Sequence, residues 1–193
     1  MTRGSLRRLL AAGAVAAAAS VAGCAGVPLT TVAQLAMKGQ GYFADADPAQ
    51  VRIALDVDAR IKAAAIKPPY LNLVLKPEGA DAGATFTREI ALVPDVTDST
   101  RLTLPAAGAG RGWLIYGLDA AGARQMAELQ QRLREMRSAK QKGSLAISVR
   151  LDGVEEAFPQ FATSELATWM RVAAADGFFK LWSGRIADAS KKA

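Results

Sequence analysis

The 193-residue chain predicts an α+β fold, an antiparallel β-sheet or β-sandwich of six or seven strands with one long amphipathic helix packed on it. Two observations carry that prediction: period-two alternation in several separate segments, and one long segment with a helical period. The sharpest alternation runs from Val51 to Ile61, where Val51, Ile53, Leu55, Val57, Ala59 and Ile61 interleave with Arg52, Ala54, Asp56, Asp58 and Arg60. Six apolar positions at period two describe a half-buried strand. The pattern recurs at Leu71, Leu73 and Leu75; at Phe86, Ile90 and Leu92; at Leu102 and Leu104; at Trp113 and Ile115; and at Leu145, Ile147, Val149 and Leu151. Breakers at Pro68-Pro69, Pro77 to Gly83, Pro94 to Ser99 and Pro105 to Gly112 separate these runs. Connections that short, with no helix between strands two and five, imply antiparallel pairing.

The helix is expected from Ala120 to about Lys140, with Asp119 as its N-cap and Gly143 as its stop. Met126, Leu129, Leu133 and Met136 form one apolar stripe, while Glu128 and Arg132 are expected to pair across one turn on the polar side and Arg134 to point away from the sheet. Thr31 to Met37 reads as a short helix with Thr31 and Gln34 in a capping box. Asp176 is expected to cap another, with Phe178, Phe179, Trp182 and Ile186 facing inward. Ser164 to Val172 fits strand or helix, and the alternation of Leu166, Thr168, Met170 and Val172 favours strand.

The N-terminus carries a processing signal. Arg3, Arg7 and Arg8 precede an apolar stretch from Leu9 to about Ser20, followed by Val21-Ala22-Gly23-Cys24, the layout of an export signal. The stretch is too short and too rich in Ala and Gly for a permanent membrane span, which needs roughly 20 strongly apolar residues. Val21-Ala22-Gly23-Cys24 resembles the lipobox of bacterial lipoproteins. That resemblance implies diacylglyceryl attachment to Cys24, cleavage before it and acylation of its new amine. It divides the chain into residues 1–23, a removed signal peptide; 24–30, a lipidated tether; 31–189, one globular domain; and 190–193, a polar tail. Ala25 after the lipidated Cys implies the outer membrane, periplasmic face; the inner membrane is the alternative. The body, with Thr168-Trp169-Met170-Arg171 followed by Asp176-Gly177-Phe178-Phe179, resembles small uncharacterised proteobacterial lipoproteins, a resemblance that brings no activity with it.

Composition narrows the chemistry. The chain has no His and one Cys, which excludes Ser-His-Asp and Cys-His dyads, a Cys/His zinc site and an intrachain disulfide. Removal of the signal takes away three Arg and no acid, so the formal charge of +6 falls to +3. A field that weak gives no case for nucleic acid as a partner.

Each remaining constellation has a bland reading that outweighs the chemical one. Gly117 and Gly122 have the glycine spacing of a phosphate loop, but Ala123-Arg124 stand where Lys and Ser/Thr must follow, so Gly122 is a permissive position in the helix start. Gly108, Gly110 and Gly112 lead into a strand, whereas a dinucleotide loop must open a helix. Asp56 and Asp58 share one strand face, as a Ca²⁺ or acid/base pair would, yet alternation with Arg52 and Arg60 points to a solvated face. Glu155-Glu156 follow Gly153 in a turn. The basic cluster Arg132, Arg134, Arg137, Lys140 and Lys142 could meet anionic headgroups or cell-wall material, with a solvated helix face as the default. Trp113, Trp169 and Trp182 with Phe178 and Phe179 could line an apolar ligand slot, with core packing as the default. Lys180, beside Phe179 and Leu181, is the candidate for a Ser-Lys dyad, since the other Lys residues fall at strand ends, loops or tails where burial is not expected.

No catalytic residue, metal ligand or cofactor is therefore assigned, and Cys24 is the one assigned site, for lipidation. The expected function is a non-enzymatic envelope binding or accessory module, held to the membrane through Cys24 and partnered by an envelope protein or the cell wall. The alternatives are a carrier or sensor for an apolar small molecule and, behind it, a Ser/Lys or carboxylate hydrolase.

Overall fold

The computed structural model describes residues 41–79, 83–95 and 104–189. Cys24, the lipobox, Thr31 to Met37, Leu102 and the polar tail lie outside the described residues. Strands β1 (Arg52–Asp58), β2 (Tyr70–Pro77), β3 (Phe86–Pro94), β4 (Arg111–Leu118), β5 (Gly143–Arg150), β6 (Glu165–Arg171) and β7 (Phe179–Arg185) form one sheet in the order β5-β2-β3-β4-β1-β6-β7. Every adjacent pair is antiparallel. The fold is thus α+β, a seven-stranded antiparallel sheet with the long helix α1 (Ala120–Ser138) and two single-turn helices, α2 (Val154–Ala157) and α3 (Ile186–Ala189).

The alternating residues behave as their period requires. Ile53, Leu55 and Val57 on β1, Leu71, Leu73 and Leu75 on β2, Ile90 and Leu92 on β3, and Tyr116 on β4 are buried in one cluster with Met126, Leu129, Leu133 and Met136 of α1. Asp119 caps α1 as expected, its carboxylate accepting from Gly122 N–H at 2.7 Å.

Four expectations need correction. The first concerns Asp176 and the segment after it, where no helix forms: Phe179–Arg185 is strand β7 and only Ile186–Ala189 turns helical. Period 3.6 and period 2 compete over so short a stretch, and pairing with β6 decides for the strand. The second is the stop of α1. Gly143 opens β5, and the helix ends at Ser138, with Lys140 taking the left-handed conformation (φ 53°). Third, Gly122 is a packing requirement: a Cβ there would lie 2.8 Å from Ile90 Cγ2, so only Gly lets the helix start approach β3. Fourth, Glu128 pairs with Arg88 of β3 at 3.0 Å, and Arg132 with Glu135.

The basic cluster has structural employment as well. A helical turn at residues 41–44 lies against α1. Buried Gln130 donates to the carbonyls of Phe43 (3.0 Å) and Ala46 (2.6 Å), Arg134 donates to that of Ala44 (2.6 Å), and Arg137 clasps Asp45 (3.0 Å). Arg134 and Arg137 thus hold this turn on the helix. Phe43 and Ala44 are buried with the core.

Tyr42 in that turn is half-buried, and burial, with the neighbouring Asp176 carboxylate adding to it, pushes its hydroxyl up to about 12. Burial also raises Tyr116. Because folding raises the Tyr42 value above that of an unfolded tyrosine, near 10, its stabilising contribution is complete below pH 10 and is lost as pH climbs toward 12. An ultraviolet titration of the folded protein should show a tyrosine step near pH 12 that Tyr42→Phe removes. If Tyr42 ionises near pH 10 instead, the turn does not pack as described.

Candidate functional site

Alternation sends the even-numbered residues of β1 to the face of the sheet opposite the core. Cross-strand register builds two rows there. One runs Trp113–Asp56–Ala167–Ser183 and the next Ile115–Ala54–Trp169–Lys180, from β4 through β1 and β6 to β7. This face is not bare: Ala54 and Ala167 are buried on it, as is Arg171, which is only 4% exposed.

Two half-buried tryptophans cover it. The Trp113 and Trp169 rings meet edge to face with centroids 6.0 Å apart, a favoured aromatic geometry. Trp113 Nε1 donates to the Pro105 carbonyl at 3.1 Å, and Lys180 Nζ lies 5.1 Å from the Trp169 ring centre, within cation–π range.

Beside the tryptophans is a pocket of about 490 Å³, walled by Asp56, Arg111, Glu165, Lys180, Ser183 and Arg185, with Asp188 of α3 at its margin. Its three acids and three bases balance formally, and several are bound to one another. Arg111 Nε donates to Asp56 Oδ1 at 2.7 Å, its Nη2 to the Asp56 carbonyl and its Nη1 to the Glu165 carbonyl at 2.8 Å. Arg185 donates to Asp188 at 2.9 Å, which holds its guanidinium above the usual arginine value. Side chains fixed this way present donors and acceptors in set positions.

The sequence-stated candidates fare unequally. Asp56 and Asp58 share the far face as expected, but they do not act as a pair: Asp58 is clasped by Arg60, which holds its carboxyl well below the usual range, while Asp56 goes to Arg111. Arg52 forms an ion pair with Asp95. The five aromatic residues do not line one slot. Trp113 and Trp169 stand on the far face, Phe179 and Trp182 pack against the core on the other, and Phe178 faces Arg171. Gly117 and Gly122 form no phosphate cradle, because the Asp119 carboxylate occupies the helix N-terminus where an anion would sit. Gly108 and Gly110 belong to the turn that opens β4. Among the described residues no group of three or more His, Cys, Asp or Glu could hold a metal ion, and no helix is long and apolar enough to cross a membrane.

Arg111, Glu165, Ser183 and Arg185 escape sequence reasoning, since β4, β6 and β7 are far apart in the chain. The sequence signals that reach this pocket are Asp56 and Lys180. Lys180 does share a pocket with a serine, Ser183.

The class defined by this geometry is an α+β protein with a charge-compensated pocket and an aromatic pair on the open face of its sheet. No protein-family model, no curated protein and no solved structure matches the chain.

Proposed function

We propose that the protein is an outer-membrane-anchored periplasmic lipoprotein, lipidated at Cys24, that serves as a non-enzymatic binding module for an envelope protein or the cell wall through the far face of β4-β1-β6-β7. The observation that carries this reading is the pocket itself. Two of its ion pairs, Arg111–Asp56 and Arg185–Asp188, orient one another beside Trp113 and Trp169, as in a preformed recognition surface, where a few placed polar groups adjoin aromatic side chains.

The anchor and the module are tested together in cells. Cys24→Ala is expected to abolish incorporation of labelled palmitate and to leave the chain uncleaved and out of the outer-membrane fraction, because stable anchoring takes two acyl signals. Label persisting in that variant overturns the lipobox reading. A photocrosslinker at Ser183 should capture one envelope component, and capture should fall in Arg111→Ala, which frees Asp56. Hydrolysis of esters, peptides or peptidoglycan by the purified protein, lost in Lys180→Ala, overturns the binding reading and makes the Lys180–Ser183 neighbourhood catalytic.

A second reading, carriage of an apolar small molecule, is favoured by a pocket of about 370 Å³ between the C-terminal half of α1 and the β2–β3 hairpin, lined by Leu75, Phe86 and Met136 with Arg132 and Glu135 at its rim. No tryptophan lines it. Uptake of a fluorescent fatty acid that Phe86→Ala removes would support this carrier against the module.

A further inference from the structure

The sheet has two edges, β5 and β7, and they are built differently. β7 carries Lys180 and Arg185 and meets β6 with a register shift between Thr168 and Trp169; charge and irregularity are the usual guards against edge-to-edge pairing. β5 has neither. Gly143 to Val149 is uncharged and contains no proline, and β5 pairs with β2 over eight consecutive positions, Pro77↔Gly143 to Tyr70↔Arg150, without a shift. Among the described residues β2 is its only strand partner. Its far-face side chains Ser144, Ala146 and Ser148 are small and exposed, and Leu145, Ile147 and Val149 on the core face are only half-buried. A straight, uncharged edge with apolar groups on one face is a template for another strand.

We propose that the β5 edge pairs with β5 of a second copy of this chain, antiparallel about a two-fold axis through Ile147, joining two seven-stranded sheets into one. The occupant and the register both follow from charge and face. Matching core face to core face allows registers differing by two residues in the sum of paired positions. An axis at Ala146 would set Lys142 opposite Arg150, like against like. An axis at Ile147 sets Leu145 opposite Val149, Ala146 opposite Ser148, and exposed Lys142 opposite Asp152, whose carboxylate is held by Arg150 of its own chain yet is 40% exposed. The symmetry repeats that attraction on both sides, as an isologous interface requires.

The test uses the full chain with Cys24→Ser, in which Ile147→Cys is the sole thiol. Residues facing one another across the axis would have Cα atoms about 4.5–5.5 Å apart, within disulfide reach. On oxidation with diamide, disulfide-linked dimer should form at least about tenfold faster than from Thr87→Cys, which stands exposed in the middle of the sheet on β3. Adding Ala146→Lys with Ser148→Lys places like charges opposite each other and should slow the reaction by about tenfold; Ala146→Lys with Ser148→Glu should restore it. Both positions are exposed, and circular dichroism confirms that the fold is kept. Linking no faster than the Thr87→Cys control, or indifference to the charge pair, overturns the proposal.

Discussion

Leu133→Asp should unfold the protein. Leu133 is 1% exposed, at the centre of the stripe that α1 lays on the sheet. Removing its side chain forfeits about 2–5 kcal/mol of packing, and the carboxylate left there has no cation among the apolar residues of the core cluster. The sum approaches the whole stability of a typical domain, about 5–15 kcal/mol, so the cooperative melting transition is expected to vanish. Arg124→Asp on the exposed face near the start of the same helix should stay within about 0.5 kcal/mol, because surface substitutions away from specific contacts change stability little. Arg134, which the helical wheel alone treats as neutral, is no such control: its bond to the Ala44 carbonyl makes Arg134→Asp cost about 1.5–3 kcal/mol. Similar melting temperatures for Leu133→Asp and Arg124→Asp would show that α1 does not pack on the sheet.

Gln130→Leu is the second large effect, although it puts an apolar residue into a buried position. Gln130 is 4% exposed, and its side-chain amide is the hydrogen-bond donor to two main-chain carbonyls, those of Phe43 and Ala46. Leucine fills the volume but leaves both acceptors unpaired, at about 1–3 kcal/mol each. A loss of about 2–4 kcal/mol is expected, with hydrogen exchange accelerating in the turn at residues 41–46 before the sheet opens. Combining Gln130→Leu with Phe43→Ala should cost less than the two separately, since both release the same turn. Unchanged exchange in that turn would mean that Gln130 does not hold it. Acid should loosen the same clasp: Arg137 holds the Asp45 carboxyl below its ordinary value, so that link is present above about pH 4 and is lost as pH falls through the lowered value.

How far the sequence reaches depends on the range of the interaction concerned. Period two in a run such as Val51 to Ile61, or the 126-129-133-136 stripe, is set by the geometry of a single element, because a strand or helix with one buried face must repeat its apolar residues at its own period. The strands β1 to β5, the helix α1, the Asp119 cap and the strand at 165–171 were legible for that reason. The breakers between them made antiparallel pairing legible too.

The misread segment marks the boundary. Phe178, Phe179, Trp182 and Ile186 fit a helix by spacing, and nothing within the segment itself opposes it; the ladder to β6 does. The same holds for Gly122, whose reason is Ile90, and for Gln130, whose reason is a turn more than eighty residues upstream.

The assembly of the candidate site lies beyond that boundary, although Asp56 and Lys180 were singled out from the sequence. Asp56, Arg111, Glu165 and Ser183 come from four strands, and only register brings them to one face. From the sequence alone come the α+β class, the strand and helix faces, the absence of imidazole chemistry and the lipobox resemblance at Cys24, all properties of composition or of contiguous residues. The order β5-β2-β3-β4-β1-β6-β7, the pairing of Asp56 with Arg111, the unguarded edge at β5 and the pocket beside Trp113 and Trp169 were decided only by the tertiary structure. Each depends on which distant segments lie side by side, and the free energy that selects among such arrangements resides in long-range packing and strand pairing, which no local period encodes.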